Sequence, residues 1–397
     1  MLHMTLAAAA LLPFKLVAQA SLAIAAGIFI FEPSWRAGAV ITVLIIQVLS
    51  RMHKEWHTGW QQHGHRSLLL IGCGNVGAGI GLAFAENGWQ VITIDPCEAL
   101  VPPELRTAPH AYDKVRIEDV DDDSLALWVA TCREVVFAAD SGNRDTYAAD
   151  PALGPRQIKQ FEKFCRRLSA ARGTSGCRLR YIGGSWTRRE PDDALLVVDN
   201  SPAKPEAACN PYERSKTQAC EAARELSAEL GLPITFCDWA SVVPNYAPNF
   251  SVAKMAEEAL RVGTIGYSAG DFGRPVCHTS DAGAALLALC EDERRHYEAQ
   301  LEGRPAVATP LFSVVLVPGA FTSFERFAEA ARDEVEQQTG RRPALVAREG
   351  DAPPLALRSR CESERLAALG WRPDASKVEQ GLRDACARKV KAAEPEG

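Results

Sequence analysis

Tyr212 and Lys216 stand four residues apart in the stretch "NPYERSK", Asn210 to Lys216. Residues at that spacing share one face of a helix. The sequence around them predicts one, since "YERSKTQACEAARELSAELG" is rich in helix formers and stops at Gly231 before Pro233. Both side chains then lie in its first or second turn. A phenol titrates at about 10 when unperturbed, and an ammonium beside it favours the phenolate. Such a pair can exchange a proton with a substrate hydroxyl while hydride moves to or from a nicotinamide. The same spacing also occurs on ordinary solvated helices, so the reading depends on what stands around it.

A second group of residues supplies that context. From Ser67 the chain reads "SLLLIGCGNVGAGIGLAFAENGWQVITIDP". An apolar run ends at Gly72, glycines recur at Gly74 and Gly77, a helical stretch runs from about 76 to 87, and a second apolar run ends at Asp95. This predicts strand, tight turn, helix and strand. One glycine allows the turn, one lets a pyrophosphate approach the backbone, and one lets the helix pack on the strand. The helix start, Asn75, Val76 and Gly77, presents its amides to an anion. Asp95 at the tip of the second strand is placed to accept hydrogen bonds from ribose hydroxyls and repels a 2'-phosphate, which favours NAD over NADP. The bland alternative is a glycine-rich turn with no ligand.

The alternation continues. Apolar runs at 134–139, 177–184 and 233–240 are separated by helical stretches at roughly 155–171 and 212–230, which predicts an α/β fold with a parallel, doubly wound, Rossmann-type sheet. Ser185 follows the strand "CRLRYIGG" directly. Ligands of such sheets collect at the carboxyl ends of strands, where a serine can hydrogen-bond a reacting oxygen.

Taken in order, "IGCGNVGAGIG", "VITIDP", "RIEDVDD", "RDTYAADP", "YIGGSWT", "NPYERSK", "GLPITFCDWASVV", "GRPVCHTSDAG" and the closing "LGWRP" segment resemble the extended short-chain dehydrogenases/reductases of the NAD-dependent epimerase/dehydratase family. The resemblance covers roughly residues 67–385. It implies NAD as cofactor, Tyr212 as acid/base, Lys216 as the residue that binds the nicotinamide ribose and acidifies the tyrosine, and Ser185 as the hydroxyl that positions the substrate oxygen. It further implies an adenine contact at Asp119, substrate contacts at Thr187 and Arg274, and a homodimer. The duller readings are a helix cap for Asp119 and a surface ion pair for Arg274.

In the dehydratases of that family an Asp-Glu pair follows the serine or threonine and carries out the elimination. Trp186 and Thr187 occupy those positions, so elimination lacks its local acid and base. Oxidation, or oxidation followed by re-reduction to invert a carbinol centre, remains. The chain also departs from the family pattern elsewhere. Asp238 and Ser241 replace an arginine and an asparagine of the substrate loop, and "RRE" follows at Arg188 to Glu190. Asp140 and Ser141 stand where two small apolar residues usually flank the cofactor. The expectation is an NAD-dependent epimerase or dehydrogenase for a sugar nucleotide or similar hydroxylated substrate. The alternatives are a sterol or lipid-alcohol dehydrogenase and a non-catalytic NAD-binding subunit of a membrane assembly.

The chain of 397 residues carries 44 basic and 50 acidic residues and no basic tract, so nucleic acid is not an expected partner. Its 12 cysteines form no CxxC pair and no metal-ligand spacing, which suggests a reducing compartment. Residues 16–31 and 37–50 are uncharged apolar runs. A spanning helix needs about 20 such residues, so residues 5–50 predict a membrane hairpin or anchor, with an amphipathic or buried helix pair as the alternative. Arg51, Lys54 and Arg66 with Trp56 and Trp60 place the following part on the cytosolic side. The expected organisation is an anchoring segment at 1–66, an NAD-binding domain at 67–245, and at 246–397 a smaller, mainly substrate-binding α/β domain that returns strands to the Rossmann sheet.

Overall fold

The five central strands of the main sheet, at 67–71, 90–94, 134–137, 178–182 and 234–239, are built from the apolar runs described above, because a parallel sheet covered on both faces has no polar side to expose. In the computed structural model, residues 66–140, 144–172, 177–184, 196–199, 201, 209–243, 251–270, 272–305, 310–348 and 360–393 are described. The chain divides into the units Met1–His65 and Arg66–Gly397, and the predicted anchor at 5–50 lies outside the described residues. Among the described residues no helix is long and apolar enough to cross a membrane.

The strands are β1 (Ser67–Ile71), β2 (Gln90–Ile94), β3 (Ala111–Asp113), β4 (Glu134–Phe137), β5 (Arg178–Ile182), β6 (Leu196–Val197), β7 (Ile234–Trp239), β8 (Ser241–Val243), β9 (Thr264–Ser268), β10 (Gly273–His278), β11 (Phe312–Val317), β12 (Ala320–Ser323), β13 (Ala344–Arg348) and β14 (Arg360–Cys361). The helices are α1 (Asn75–Glu86), α2 (Asp122–Thr131), α3 (Arg144–Ala149), α4 (Leu153–Arg172), α5 (Pro211–Leu230), α6 (Ser251–Val262), α7 (Thr279–Leu301), α8 (Phe324–Thr339), α9 (Glu364–Ala368) and α10 (Ala375–Ala393).

The main sheet has seven strands in the order β11-β7-β5-β4-β1-β2-β3, and every pairing in it is parallel. The chain leaves β1 for β2 and β3, then returns to the other side of β1 at β4. That reversal is the crevice where doubly wound sheets bind ligands. One face is covered by α1 and α7, whose Ile80, Phe84, Leu286 and Leu289 are buried with Leu68 and Leu70 of β1. The opposite face carries aromatics: Tyr181 stacks between Phe137 and Phe236 at 5.8 and 5.2 Å, with Phe161 of α4 edge-on at 4.5 Å. Offset and edge-on rings of this kind add about 1 kcal/mol beyond the area they bury.

A second core joins α6, α8 and α10 through Val252, Ala256, Phe327, Ala331, Val378 and Leu382. Beside it stands a small sheet, β12-β10-β8. The "LGWRP" segment is fastened to α7: Asp281 accepts from Lys377 Nζ and from the Asp374 amide, both at 2.7 Å. The indole of Trp371 donates to the Asp281 carbonyl at 3.1 Å.

Buried charge ties α7 to the amino end of the main sheet. Arg180 Nη2 donates to Glu293 at 2.7 Å and its Nε to Glu134 at 3.0 Å, while Arg178 and Arg365 also pair with Glu293. Burial alone would raise the Glu293 carboxyl, but Arg180, with Arg178 and Arg365, overrides it and holds the group well below the usual carboxylate range. Glu134 is driven the other way, upward, by burial. All twelve cysteines are free thiols.

Candidate active site

The turn after β1 shows why glycine is required there. Gly72 has φ +87°, and a Cβ on it would lie 2.6 Å from the Ala139 backbone. A Cβ on Gly77 would lie 2.1 Å from the Gly72 carbonyl oxygen, so the helix start packs directly on the turn. Gly74 differs, because a Cβ there would meet nothing within 4 Å. Gly74 is also the N-cap of α1 and supplies no side-chain cap. The amides of the first turn, at Asn75, Val76 and Gly77, therefore stand behind a cap position with no side chain, at the positive end of the helix dipole.

Asp95 closes this crevice from the end of β2. Its two carboxylate oxygens accept from the Cys73 amide at 2.6 Å and the Cys97 amide at 2.7 Å. Tyr112 donates to its carbonyl at 3.0 Å. The carboxylate is thus fixed beside the glycine turn with one lone pair per oxygen left over. Burial, with a further contribution from Asp95, pushes the Cys73 thiol up to about 12, so it stays protonated. A tight turn, a helix start with no side chain at its cap position and a fixed acceptor together fit a dinucleotide's pyrophosphate and ribose.

The Tyr212 helix begins where the sequence predicts. Asn210 accepts from the Glu213 amide at 3.0 Å and Glu213 reaches back to the Asn210 amide at 3.2 Å, a capping box with Pro211 in the first turn. Such caps contribute about 1 kcal/mol and fix the orientation of the first turn. That turn aims Tyr212 at the carboxyl end of β5: a Cβ on Gly184 would come within 2.2 Å of the Tyr212 hydroxyl oxygen and 3.0 Å of Lys216 Cγ. The tyrosine ring is held edge-on by Tyr147 of α3 at 5.3 Å. Lys216 Nζ lies 5.5 Å from the Tyr212 ring centroid.

Asp140, just beyond β4, organises the floor of this site. It accepts from Lys216 Nζ, from Tyr147 at 2.8 Å and from Tyr181 at 2.9 Å. Tyr147 also bonds Gln157. In the sequence Asp140 stands out only as a departure from the family pattern, with no role attached. The signal available was a carboxylate ending an apolar strand run, "EVVFAAD", which is costly unless paired.

Ser185 and Thr187 lie outside the described residues. Asp119 is exposed at the end of a short 3₁₀ turn, Ile117–Asp119. The cap of the following helix is its neighbour Asp121, which accepts from the Ser124 amide at 2.8 Å. Arg274 lies on β10, apart from the main sheet. Its Nη2 donates to Ser251 at 3.1 Å, and its guanidinium sits over Phe324 and Phe327 at 5.4 and 5.8 Å.

No protein-family model matches the chain, and no curated protein matches its sequence. Solved structures do match. A UDP-glucose 4-epimerase from Thermotoga maritima, solved with UDP-glucose, is 19% identical with a TM-score of 0.58, over 83% of this chain and 100% of the epimerase. The dTDP-glucose 4,6-dehydratase DesIV from Streptomyces venezuelae, with NAD and TYD bound, is 17% identical with a TM-score of 0.60, over 82% and 97% of the two chains. A UDP-glucose 4-epimerase from Thermus thermophilus, in complex with NAD, is 18% identical with a TM-score of 0.55, over 83% and 100%. The chain therefore has the fold of the NAD-dependent epimerase/dehydratase class of extended short-chain dehydrogenases/reductases. At these identities the likeness fixes the fold, and function must be argued from the site.

Proposed function

We propose that the chain is an NAD-dependent epimerase or dehydrogenase acting on a sugar nucleotide or a similar hydroxylated substrate. The observation that carries this reading is the Tyr212 hydroxyl set against Gly184 at the carboxyl edge of the sheet, with Lys216 beside it. It shares that edge with the glycine turn and Asp95. Gly72, Gly74, Asn75, Val76 and Gly77 would hold the pyrophosphate and Asp95 the adenosine ribose, with Asp119 on the adenine side. When bound, NAD supplies the hydride acceptor.

Tyr212 takes the proton from the substrate hydroxyl and returns it on re-reduction. Lys216 orients the cofactor's second ribose and stabilises the tyrosine's charged form. Ser185 would position the reacting oxygen, and Thr187 and Arg274 would contact the rest of the substrate. The fold is common to epimerases and a dehydratase, so residues must decide between them. Trp186 and Thr187 offer no carboxylate for elimination, which supports inversion or simple oxidation.

The test is incubation of the full chain with NAD and, separately, UDP-hexoses and sterol or lipid alcohols, following both reduced nicotinamide and epimeric product. Turnover of a nucleotide sugar supports the reading. Oxidation of the lipid alcohol alone transfers the assignment to that substrate class. No turnover of any alcohol despite tight NAD binding leaves a cofactor-holding subunit in its place. Membrane attachment through residues 5–50, with the domain on the cytosolic side, and homodimer formation belong to the same proposal. They are supported by the uncharged N-terminal runs and by the family resemblance, respectively.

A further inference from the structure

A carboxylate at the floor of a dinucleotide crevice needs a reason. The Asp140 side chain is 7% exposed and follows the apolar Ala138 and Ala139. Three donors converge on it, the Lys216 ammonium and the hydroxyls of Tyr147 and Tyr181, which fills most of its acceptor capacity. It therefore has little left to offer a ligand directly. What it does is hold Lys216.

Lys216 is 2% exposed. The groups facing it are Asp140 from the end of β4, Asp238 from β7 and Tyr212 from its own helix. Tyr181 of β5 and Tyr147 of α3 reach it through Asp140. Burial pushes the lysine toward its neutral form, and Asp140, followed by Tyr212, more than reverses this, so the ammonium is kept to higher pH than in water. Without Asp140, burial would act with less opposition.

We propose that Asp140 is a positioning residue of this site, holding the Lys216 side chain as a fixed, charged donor at the carboxyl ends of β4 and β5. The functional half of this inference rests on the NAD reading above; the pairing half does not. An Ala or Asn at position 140 would leave a buried ammonium without its anion. The lysine would then shed its proton at lower pH, and cofactor affinity would become pH-dependent.

The experiment measures NADH binding by fluorescence for the full chain from about pH 6 to about pH 9. It compares the wild type, Asp140→Asn and the double variant Asp140→Asn/Lys216→Met. With the wild-type profile as baseline, Asp140→Asn should lose about tenfold in affinity as pH rises through that range. The double variant should bind weakly without that added slope. A profile for Asp140→Asn parallel to the wild type overturns the proposal. Thermal melting supplies the second measurement, because removing both partners of a buried pair is less harmful than removing one. The double variant should melt above Asp140→Asn, and an equal or lower melting temperature overturns the pairing. If the wild type binds no NADH at any pH, the cofactor reading fails with the functional half, while melting still decides whether Asp140 holds Lys216.

Discussion

The Tyr212 hydroxyl fills the space that a side chain at position 184 would need. A Cβ on Gly184 would stand 2.2 Å from the phenol oxygen and 2.9 Å from Cζ. The glycine and the tyrosine are thus parts of one arrangement, joining the end of β5 to the first turn of α5.

Substituting Gly184→Ala forces Tyr212 out of place. Overpacking of this kind costs about 1–3 kcal/mol, so the melting temperature should fall by several degrees and any Tyr212-dependent turnover should be lost. Thermal denaturation together with the epimerase assay checks this. An alanine variant with wild-type melting and turnover would show that the tyrosine does not work from this position.

Asp95 fixes the glycine turn through the Cys73 amide and is the group expected to meet ribose. Asp95→Asn removes the charge and should weaken NAD binding by about tenfold or more. It should also narrow the preference for NAD over NADP, because the repulsion of a 2'-phosphate disappears. Calorimetric titration with both dinucleotides measures both effects. Unchanged affinity for each would place the ribose elsewhere.

The ion cluster at the amino end of the sheet makes stability depend on pH. The Glu293 carboxyl is lower in the folded chain than its unfolded value, which is about 4.3. Its contribution is therefore fully present above that value and is lost as pH falls below it toward the depressed folded one. Denaturant melts between about pH 6 and about pH 3 should show a steeper acid loss in the wild type than in Glu293→Gln, although the variant starts out less stable. Parallel pH curves would mean that Glu293 is not held by its three arginines.

The five central strands of the main sheet, the glycine turn, Asp95 at the end of β2 and the Tyr212 helix were legible in the sequence because each rests on local rules. Continuous apolar runs mark strands buried on both faces, and the run of helix formers from Tyr212 that stops at Gly231 before Pro233 marks the helix. The predicted helix at about 76–87 forms as Asn75–Glu86, and that at 212–230 as Pro211–Leu230. The Asp140 network was not legible, since its members lie at 140, 147, 181 and 216 and meet only once β4, β5, α3 and α5 are assembled. The same holds for Arg178, Arg180 and Arg365 around Glu293. The contact between Asp281 and the "LGWRP" segment spans about ninety positions, beyond any periodicity.

The uncharged runs at 16–31 and 37–50 predict that the full chain sediments with membranes and that a chain beginning near residue 66 does not. Fractionation of both forms checks this. Recovery of the full chain in the soluble fraction without detergent would remove the anchor.

The enzymatic reading depends most on Tyr212 as the proton-transfer group. The most direct measurement is transfer of isotopically labelled hydrogen from a UDP-hexose to bound NAD in the wild type and in Tyr212→Phe, alongside NAD affinity. The prediction is unchanged NAD affinity with transfer slowed by about a hundredfold or more in the variant. Transfer at the wild-type rate in Tyr212→Phe would contradict it.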